Sequence, residues 1–565
     1  MPLTEVREAP SVCKPKQDDE RHCRCYKGHG AGKHMVDDVE APSLQKSTYY
    51  SRVSSEYTQN RIVKGGLKLA KKGFRTLRDE CFKAKKIYED PEFPPNDYSI
   101  SFNGVTRRSY VWKRPRDIVD NPRFFIDGAT RFDIQQGELG DCWLLAAVSN
   151  LTLNPQLFHV VVPCDQGFTD LYAGIFHFKF WQYGKWQEVV VDDMLPTYNG
   201  QLVFMHSKTK NEFWCALLEK AYAKMYGGYE ALRGGNINES MVDLTGGVVE
   251  MVDLHNPPPQ AVLPLVEAYR RGALIGCAIE PNNPAVQTES ILPNGLIMRH
   301  AYSITRVTVV DIQSVGPKVK GKAELVRLHN PWGNETEWKG SWSDKSPEWA
   351  TIADQEKQRL GLTFDDDGEF WMSYQDFIKN FTCVEICDVT PEVFDDDNSD
   401  DEGNGHRPPA EQVQKRYQMV LYEGAWASQH SAGGCRNFID TFASNPQYTV
   451  QLEDPDVDDD DDLCTMVVSL MQKNVRQLKR YGVDYVPIGF TIYKLPPDVQ
   501  PGKKLDTEFF KYNPSIAKVP FFLNTREITT RFRFPPGFYV IIPSTFEPEM
   551  TGEFLLRVFT EAKRK

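Results

Sequence analysis

The sequence predicts a two-part α+β core, one half helix-rich and one half β-rich, followed by an all-β antiparallel sandwich. Three observations carry this. Residues 96–235 place apolar side chains at helical spacing, most clearly over Asn211–Tyr222. Residues 236–388 turn to β-rich runs such as Leu274–Ile279. Residues 413–562 are short strand-like runs cut by turns. A chain of 565 residues is too long for one core, so several domains are expected. Its net charge of −12 argues against general nucleic-acid binding. No apolar run is long enough for a transmembrane helix, and no apolar segment near Met1 reads as a secretory signal. Twelve cysteines at irregular spacing do not form a disulfide framework, which fits a reducing cytoplasm.

Residues 1–60 are polar and lack periodicity, the composition of a disordered tail. Cys13, Cys23 and Cys25 lie near His22, His29 and His34, but no standard zinc-finger spacing is met. In residues 61–95, Arg61, Lys64, Lys68, Lys71, Lys72, Arg75 and Arg78 interleave with Ile62, Leu67, Leu69, Phe74 and Leu77. Such a basic amphipathic segment either lies on an acidic phospholipid surface or docks as a helix on its own protein. Pro94-Pro95 ends it, because paired prolines cannot continue a helix.

In the helix-rich half, Gln136-Gly-Glu-Leu-Gly-Asp-Cys142-Trp-Leu-Leu-Ala sets a cysteine where a Gly-containing turn meets an apolar run. Trp143, Leu144, Ala147, Val148 and Leu151 keep helical spacing until Asn154-Pro155. Cys142 is therefore expected at a helix N-terminus, where the dipole and unpaired N–H groups favour the nucleophilic thiolate. A lone cysteine in such a place is more often a small buried residue. Its surroundings favour chemistry: Gly137 and Gly140 permit close backbone approach, and Gln136 offers an amide N–H to an oxyanion. Gly234-Gly235 reads as a hinge.

In the β-rich half, His300 opens the strand-like run Ala301–Val310, and Asn330 ends the run Ala323–Leu328 at a turn. His300 is the candidate base and Asn330 its orienter; alone, either would read as an ordinary core or turn residue. The order Cys, His, Asn is that of papain-like proteases, although the local signature reads Gly-Asp-Cys-Trp rather than Gly-Ser-Cys-Trp. Residues 389–412 are an acidic linker. Asp396, Asn398 and Asp400 alternate like the start of an EF-hand loop, but no glycine sits at the sixth position and Pro408-Pro409 follows too soon. In the sandwich, expected strands are Tyr448–Leu452, Thr465–Leu470, Gly489–Tyr493, Arg531–Phe534, Gly537–Ile542 and Gly552–Phe559. The acidic loop Glu453, Asp454, Asp456 and Asp458–Asp462 calls for cations or a basic face, with Lys473, Arg476, Lys479 and Arg480 as candidates for the latter.

Together with Asp243-Leu-Thr-Gly-Gly, Arg299-His300-Ala-Tyr-Ser, Asn330-Pro-Trp-Gly and Asp367-Gly-Glu-Phe-Trp-Met-Ser, the cysteine motif resembles the calpains, intracellular calcium-dependent cysteine proteases. The resemblance runs over roughly residues 96–562. It implies a papain-like two-part core whose halves close on calcium binding, a Cys142–His300–Asn330 triad with Gln136 at the oxyanion, and Trp332 shielding the His–Asn bond and blocking the cleft until calcium binds. It also implies a Ca2+ site in each half. The first would use Asp133 and Glu212 with the carbonyls of Ile126 and Gly128. The second would use Glu337, Asp344, Asp367 and Glu369 with the carbonyl of Asp365; Glu335 is the alternative to Glu337, which aligns better with Trp338. Many calpains continue into a penta-EF-hand domain, which is not expected here, so a small regulatory subunit is not an expected partner. Protein substrates are. Arg299 departs from the family, where many members have glycine, and a long cation there is expected to crowd the cleft or alter substrate preference.

The expected activity is a cytoplasmic, calcium-dependent cysteine endopeptidase making limited cuts, associating with membranes when calcium rises. The rival is a weakly active or inactive calcium-responsive scaffold that binds membranes or partners, for which Arg299 leaves room. A transglutaminase-like acyltransferase is disfavoured by the Gly-Asp-Cys-Trp and Asn-Pro-Trp-Gly motifs.

Overall fold

The computed structural model describes residues 72–169, 171–257, 262–281, 289–312, 321–389, 417–453 and 463–561. These form two compact units. The first reaches Val389, the hairpin tip Tyr183–Lys185 excepted, and the second begins at Thr390. The N-terminal tail, residues 390–416 of the linker region, and the acidic loop Asp454–Asp462 lie outside the described residues.

The first described helix, α1 (Phe74–Ala84), begins after the extended Gly73 and ends in a left-handed Lys85. Phe74 is buried and stacks on His177 at 3.9 Å. Leu77 and Cys81 pack on the same small core as Tyr88, Ala173, Ile175 and Val190. The described part of the basic segment is thus docked on its own chain through Phe74, Leu77 and Cys81, while Phe82 stays exposed. No helix among the described residues is long and apolar enough to cross a membrane.

Helix α2 (Cys142–Leu151) begins at the cysteine, as the spacing predicts, and all its residues are buried. It is a core helix, apolar all round, rather than an amphipathic one. The half that holds it is less purely helical than expected. A long hairpin, β1 (Ile175–Gln182) and β2 (Lys185–Asp192), runs through it. The aromatic-rich strand β1 is buried on both faces apart from Lys179, so the polar His177 and Gln182 are as buried as its aromatic residues. Helix α3 (Trp214–Tyr226) is wholly buried and closes with a left-handed Gly227. Its lysines stay buried because Lys220 pairs with Asp192 and Lys224 with Asp90.

Beyond Gly234-Gly235 come helix α4 (Ile237–Thr245) and a six-stranded antiparallel sheet. Its strands are β3 (Val248–Asp253), β4 (Leu274–Ala278), β5 (Ala301–Ile312), β6 (Gly321–His329), β7 (Glu369–Ser373) and β8 (Cys383–Asp388), in the spatial order β7-β6-β5-β4-β8-β3. Strands β5 and β6 pair with Ser303 opposite His329, and β6 pairs with β7 with His329 opposite Glu369. That register brings the start of β5, the end of β6 and the start of β7 to one end of the sheet. Helix α2 packs against α4, β4 and β5. Asn150 donates to the Ile275 carbonyl at 2.8 Å, and Ser240 donates to the Trp143 carbonyl at 2.8 Å.

The second unit is two four-stranded antiparallel sheets. One orders Tyr417–Trp426, Gly552–Glu561, Cys464–Gln472 and Glu527–Phe534; the other orders Tyr448–Leu452, Gly537–Thr545, Ile488–Lys494 and Ala517–Lys518. Both contribute to one core, with Met466, Val468 and Leu556 from the first sheet and Val450, Phe490 and Ile541 from the second. This is the expected sandwich, with Tyr417–Trp426 added as a strand that the spacing did not flag.

Candidate active site

Cys142 is the first residue of α2, and its thiol therefore sits at the positive end of that helix. The strand register delivers the other two groups. His300 stands one residue before β5 and Asn330 one residue after β6, on neighbouring antiparallel strands, so both occupy the same end of the sheet. His300 Nε2 donates to Asn330 Oδ1 at 2.7 Å. Asn330 Oδ1 also accepts from the Trp332 backbone N–H at 3.0 Å, and its amide Nδ2 donates to the Thr336 carbonyl at 2.9 Å. These partners fix which way the Asn330 amide points, and hence which nitrogen of His300 carries the proton toward it. The Cys142 sulfur lies within 4.8 Å of the His300 ring nitrogen that faces it. Both residues are buried, His300 almost completely.

Burial alone would hold the imidazole neutral. The Cys142 thiolate and the Glu289 carboxylate outweigh it and push His300 up to about 10. His300 thus holds its proton firmly at this site. Trp332 packs edge-on against His300, with ring centroids 5.4 Å apart. Gln136 lies in the loop before α2. Its backbone N–H donates to the Pro331 carbonyl at 3.0 Å, tying this loop to the Asn330 turn. Its side-chain nitrogen donates to the Leu139 carbonyl at 2.8 Å, while its Oε1 is buried without a partner.

Two groups absent from the sequence reading belong here. Glu289 precedes the short strand Ser290–Ile291, and its Oε1 lies 3.4 Å from His300 Nδ1. Nothing in the local pattern marks it; only the folded register brings it in. Asp141, beside the nucleophile, is fully buried against Glu219. Burial is the main cause that lifts Asp141 to about 7 and Glu219 well above the usual range, so the two carboxyls hold a proton between them.

Arg299 is exposed, and its backbone adopts φ +57°. The family's glycine at this position has a conformational reason: this is the left-handed region, costly to any residue with a Cβ.

The acidic residues assigned to cation sites fall into two clusters. Asp133 and Glu212 lie together, and Glu212 Oε1 accepts from the Ile126 N–H at 2.7 Å. Burial, then the Asp133 charge, raises Glu212 to about 8; burial likewise raises Asp133. Gly128 follows Ile126 by two residues in the same loop. In the second cluster, burial and the neighbouring acids raise Glu337 and Asp344 each to about 7. Asp344 Oδ1 is buried without a partner, and Asp367 is also raised, chiefly by burial. Glu335 is exposed, and Asp365 is exposed with its carbonyl accepting from the Asp367 N–H.

Glu369 differs from its neighbours. Its Oε1 and Oε2 accept from Arg131 Nε and Nη2 at 2.6 and 2.7 Å, Thr305 donates to Oε1, and Arg327 lies 3.3 Å from Oε2. Burial would raise it, but the two guanidinium groups hold it down at about 2. Its carboxylate is already neutralised by cations of this chain. Arg131, which sequence spacing did not single out, joins the two halves through this fork.

These arrangements coincide with what comparison shows. Residues 88–388 match the family described as "Calpain family cysteine protease", and residues 422–559 match "Calpain large subunit, domain III". The chain is 49% identical to Calpain-B of Drosophila melanogaster over 93% of its own length and 54% of that protein's. It is 49% identical to Calpain clp-1 of Caenorhabditis elegans over 86% of its length and 60% of that protein's. It is 46% identical to Calpain-9 of Rattus norvegicus over 87% and 67%, respectively. The chain therefore spans a little over half to two thirds of the length of these relatives. With the protease-family match covering more than half of the sequence and the cysteine, histidine and asparagine gathered at one sheet end, the chain belongs to the calpain family of cysteine proteases.

Proposed function

We propose that the chain is a calcium-dependent cysteine endopeptidase with a papain-like core. The observation that carries this reading is the juxtaposition of Cys142, His300 and Asn330, with His300 held at 2.7 Å by Asn330 and its other nitrogen turned to the sulfur. His300 takes the Cys142 proton, and the thiolate attacks the scissile carbonyl carbon. The Cys142 N–H at the start of α2 and the free N–H of the Gln136 amide receive the oxyanion, a role worth about 10²- to 10³-fold per donor. The tetrahedral species collapses to a thioester as His300 protonates the departing amine. His300 then deprotonates the water that hydrolyses the thioester, restoring the thiol. Asn330 keeps the imidazole in register throughout. The substrates are proteins, cut where an extended segment enters the cleft, in a reducing cytoplasm that keeps the thiol free.

Calcium fits the residues present. Asp133 with the buried Glu212, and the half-buried Glu337 with Asp344 and Asp367, are hard oxygen donors crowded against one another, and Asp344 Oδ1 lacks a partner. The Ile126, Gly128 and Asp365 carbonyls would complete these sets. Bound calcium would supply the positive charge that lets both clusters ionise. Glu369 would serve chiefly as the anchor for Arg131.

Cleavage of casein against calcium concentration, with Cys142→Ala in parallel, tests the reading. Calcium-dependent cleavage lost in the variant is expected. Cleavage without calcium would remove the two clusters as the switch, and no cleavage at any calcium level would favour the scaffold.

A further inference from the structure

We propose that Cys142, His300 and Glu289 form a binding site for a borderline-soft divalent cation of the zinc type, which silences the thiol when it binds. This inference concerns regulation of the site described above and rests on its reading as a cysteine protease centre.

One sulfur, one imidazole nitrogen and one carboxylate oxygen from these residues all lie within 4.8 Å of one another. Glu289 and His300 flank the short hairpin formed by Ser290–Ile291 and Ile297–Met298, and Cys142 joins them from the remote start of α2. The set is the chemistry of zinc, which takes sulfur, nitrogen and oxygen at about 2.0–2.3 Å in a tetrahedron. Two ligands of such an ion stand about 3.4 Å apart, and Glu289 Oε1 lies 3.4 Å from His300 Nδ1. That separation is long for a direct N–H···O bond between charged partners.

Two of the three side chains are already tethered by neighbours. His300 donates its Nε2 proton to Asn330, which leaves Nδ1 as the nitrogen that can present a lone pair. The Trp332 side chain hydrogen-bonds to Glu289, as does Cys142. Ligation needs no redox partner: Cys142 binds as thiolate, Glu289 as carboxylate, and His300 releases its Nδ1 proton to solvent as the metal–nitrogen bond forms. The fourth position is left for water. The ion occupies both the nucleophile and the base, so catalysis stops without any rearrangement of the fold. Calcium does not compete here, because a hard cation prefers six to eight oxygen donors to a thiolate and an imidazole. One ion thereby opposes the other through separate sites.

Cobalt(II) provides the probe, since a thiolate ligand gives a charge-transfer absorption and tetrahedral geometry gives intense visible bands. Full-length protein, reduced with a phosphine and freed of metal, is titrated with cobalt alone, and bound cobalt is then displaced with zinc. The expected result is one equivalent whose thiolate band vanishes in Cys142→Ala and whose affinity, for cobalt and for zinc, falls at least about tenfold in Glu289→Gln. Glu289 is partly exposed and the change is isosteric, so folding is retained. A band that survives Cys142→Ala, or affinities unaltered in Glu289→Gln, would overturn the inference. Neither measurement needs turnover. Failure of casein cleavage would count against the protease reading alone, whereas cleavage insensitive to zinc at saturating occupancy would count against this one.

Discussion

Asp192 and Glu212 are both buried in the helix-rich half, and they meet opposite fates. Asp192 faces Lys220, whose ammonium also donates to the Asp192 and Met194 carbonyls at 2.9 and 2.7 Å. Its neighbour Asp90 is matched in the same way by Lys224, which also donates to the Val190 carbonyl. Glu212 faces another carboxyl, Asp133, and is raised to about 8 by burial and by that neighbour. The β-rich half repeats the contrast, with Glu369 clasped by two arginines and Asp344 left with an orphan oxygen. A buried acid that the chain neutralises belongs to the architecture. A buried acid that the chain leaves unneutralised costs stability and is expected to be matched from outside.

The sharpest way to break this contrast is to remove a lysine from the first class. Lys220→Met leaves Asp192 charged and unpaired in a site where neither side chain is exposed. The expected cost is about 3–5 kcal/mol, read as a large fall in melting temperature that calcium does not restore. An unaltered melting temperature would show that these pairs contribute no more than packing.

The second class responds to ions and pH. A Glu carboxyl ordinarily titrates near 4.5, and Glu212 keeps its proton to about 8 in the fold. Between those values the folded state holds more protons than the unfolded one. Ion-free stability is therefore complete below about 4.5 and declines as pH rises toward 8. Glu337 and Asp344, raised to about 7, add to the same slope. Calcium at about a hundredfold over its Kd should restore about 2.7 kcal/mol at pH 8 and little at pH 5, where the sites are protonated. Glu212→Gln should raise the ion-free melting temperature at pH 8 and shrink the calcium increment. Thermal unfolding at both pH values, with calcium or chelator, checks this; a calcium increment independent of pH would place the binding elsewhere.

The two classes also mark what the sequence could reveal. Cys142 was legible because a Gly-containing turn met an apolar run, and the sandwich strands because turn residues bounded them. The hairpin β1–β2 was not singled out, although Phe176, Phe178 and Phe180 alternate with His177 and Lys179, because the run lies in a half read from its helical spacing. Glu212, Glu337 and Asp344 could be named only through a family resemblance. Their meaning lies in the burial and the neighbouring carboxyls that raise all three, a fact of tertiary structure that spacing does not encode. Arg131 and Glu289 were missed for the same reason. Glu369 lies 238 residues from Arg131, and Glu289, although only 11 residues from His300 across a short hairpin, lies 147 residues from Cys142.

Arg299 supplies the smallest and most discriminating test, because here the charge is exposed and the strain lies in the backbone. Side-chain crowding and backbone strain make different forecasts. If the left-handed φ of +57° is what matters, Arg299→Gly should gain stability while Arg299→Ala, which keeps a Cβ, should not. The gap between the two variants is expected to be about 1 kcal/mol, reduced by the extra freedom glycine brings to the unfolded chain. Both variants should cleave casein at the parent rate, since neither removes a group that touches the reacting atoms. Equal gains in cleavage rate from glycine and alanine would instead assign the effect to the long cation. Chemical denaturation of the three proteins side by side, scored together with casein cleavage, separates the two causes, because only the backbone term distinguishes alanine from glycine.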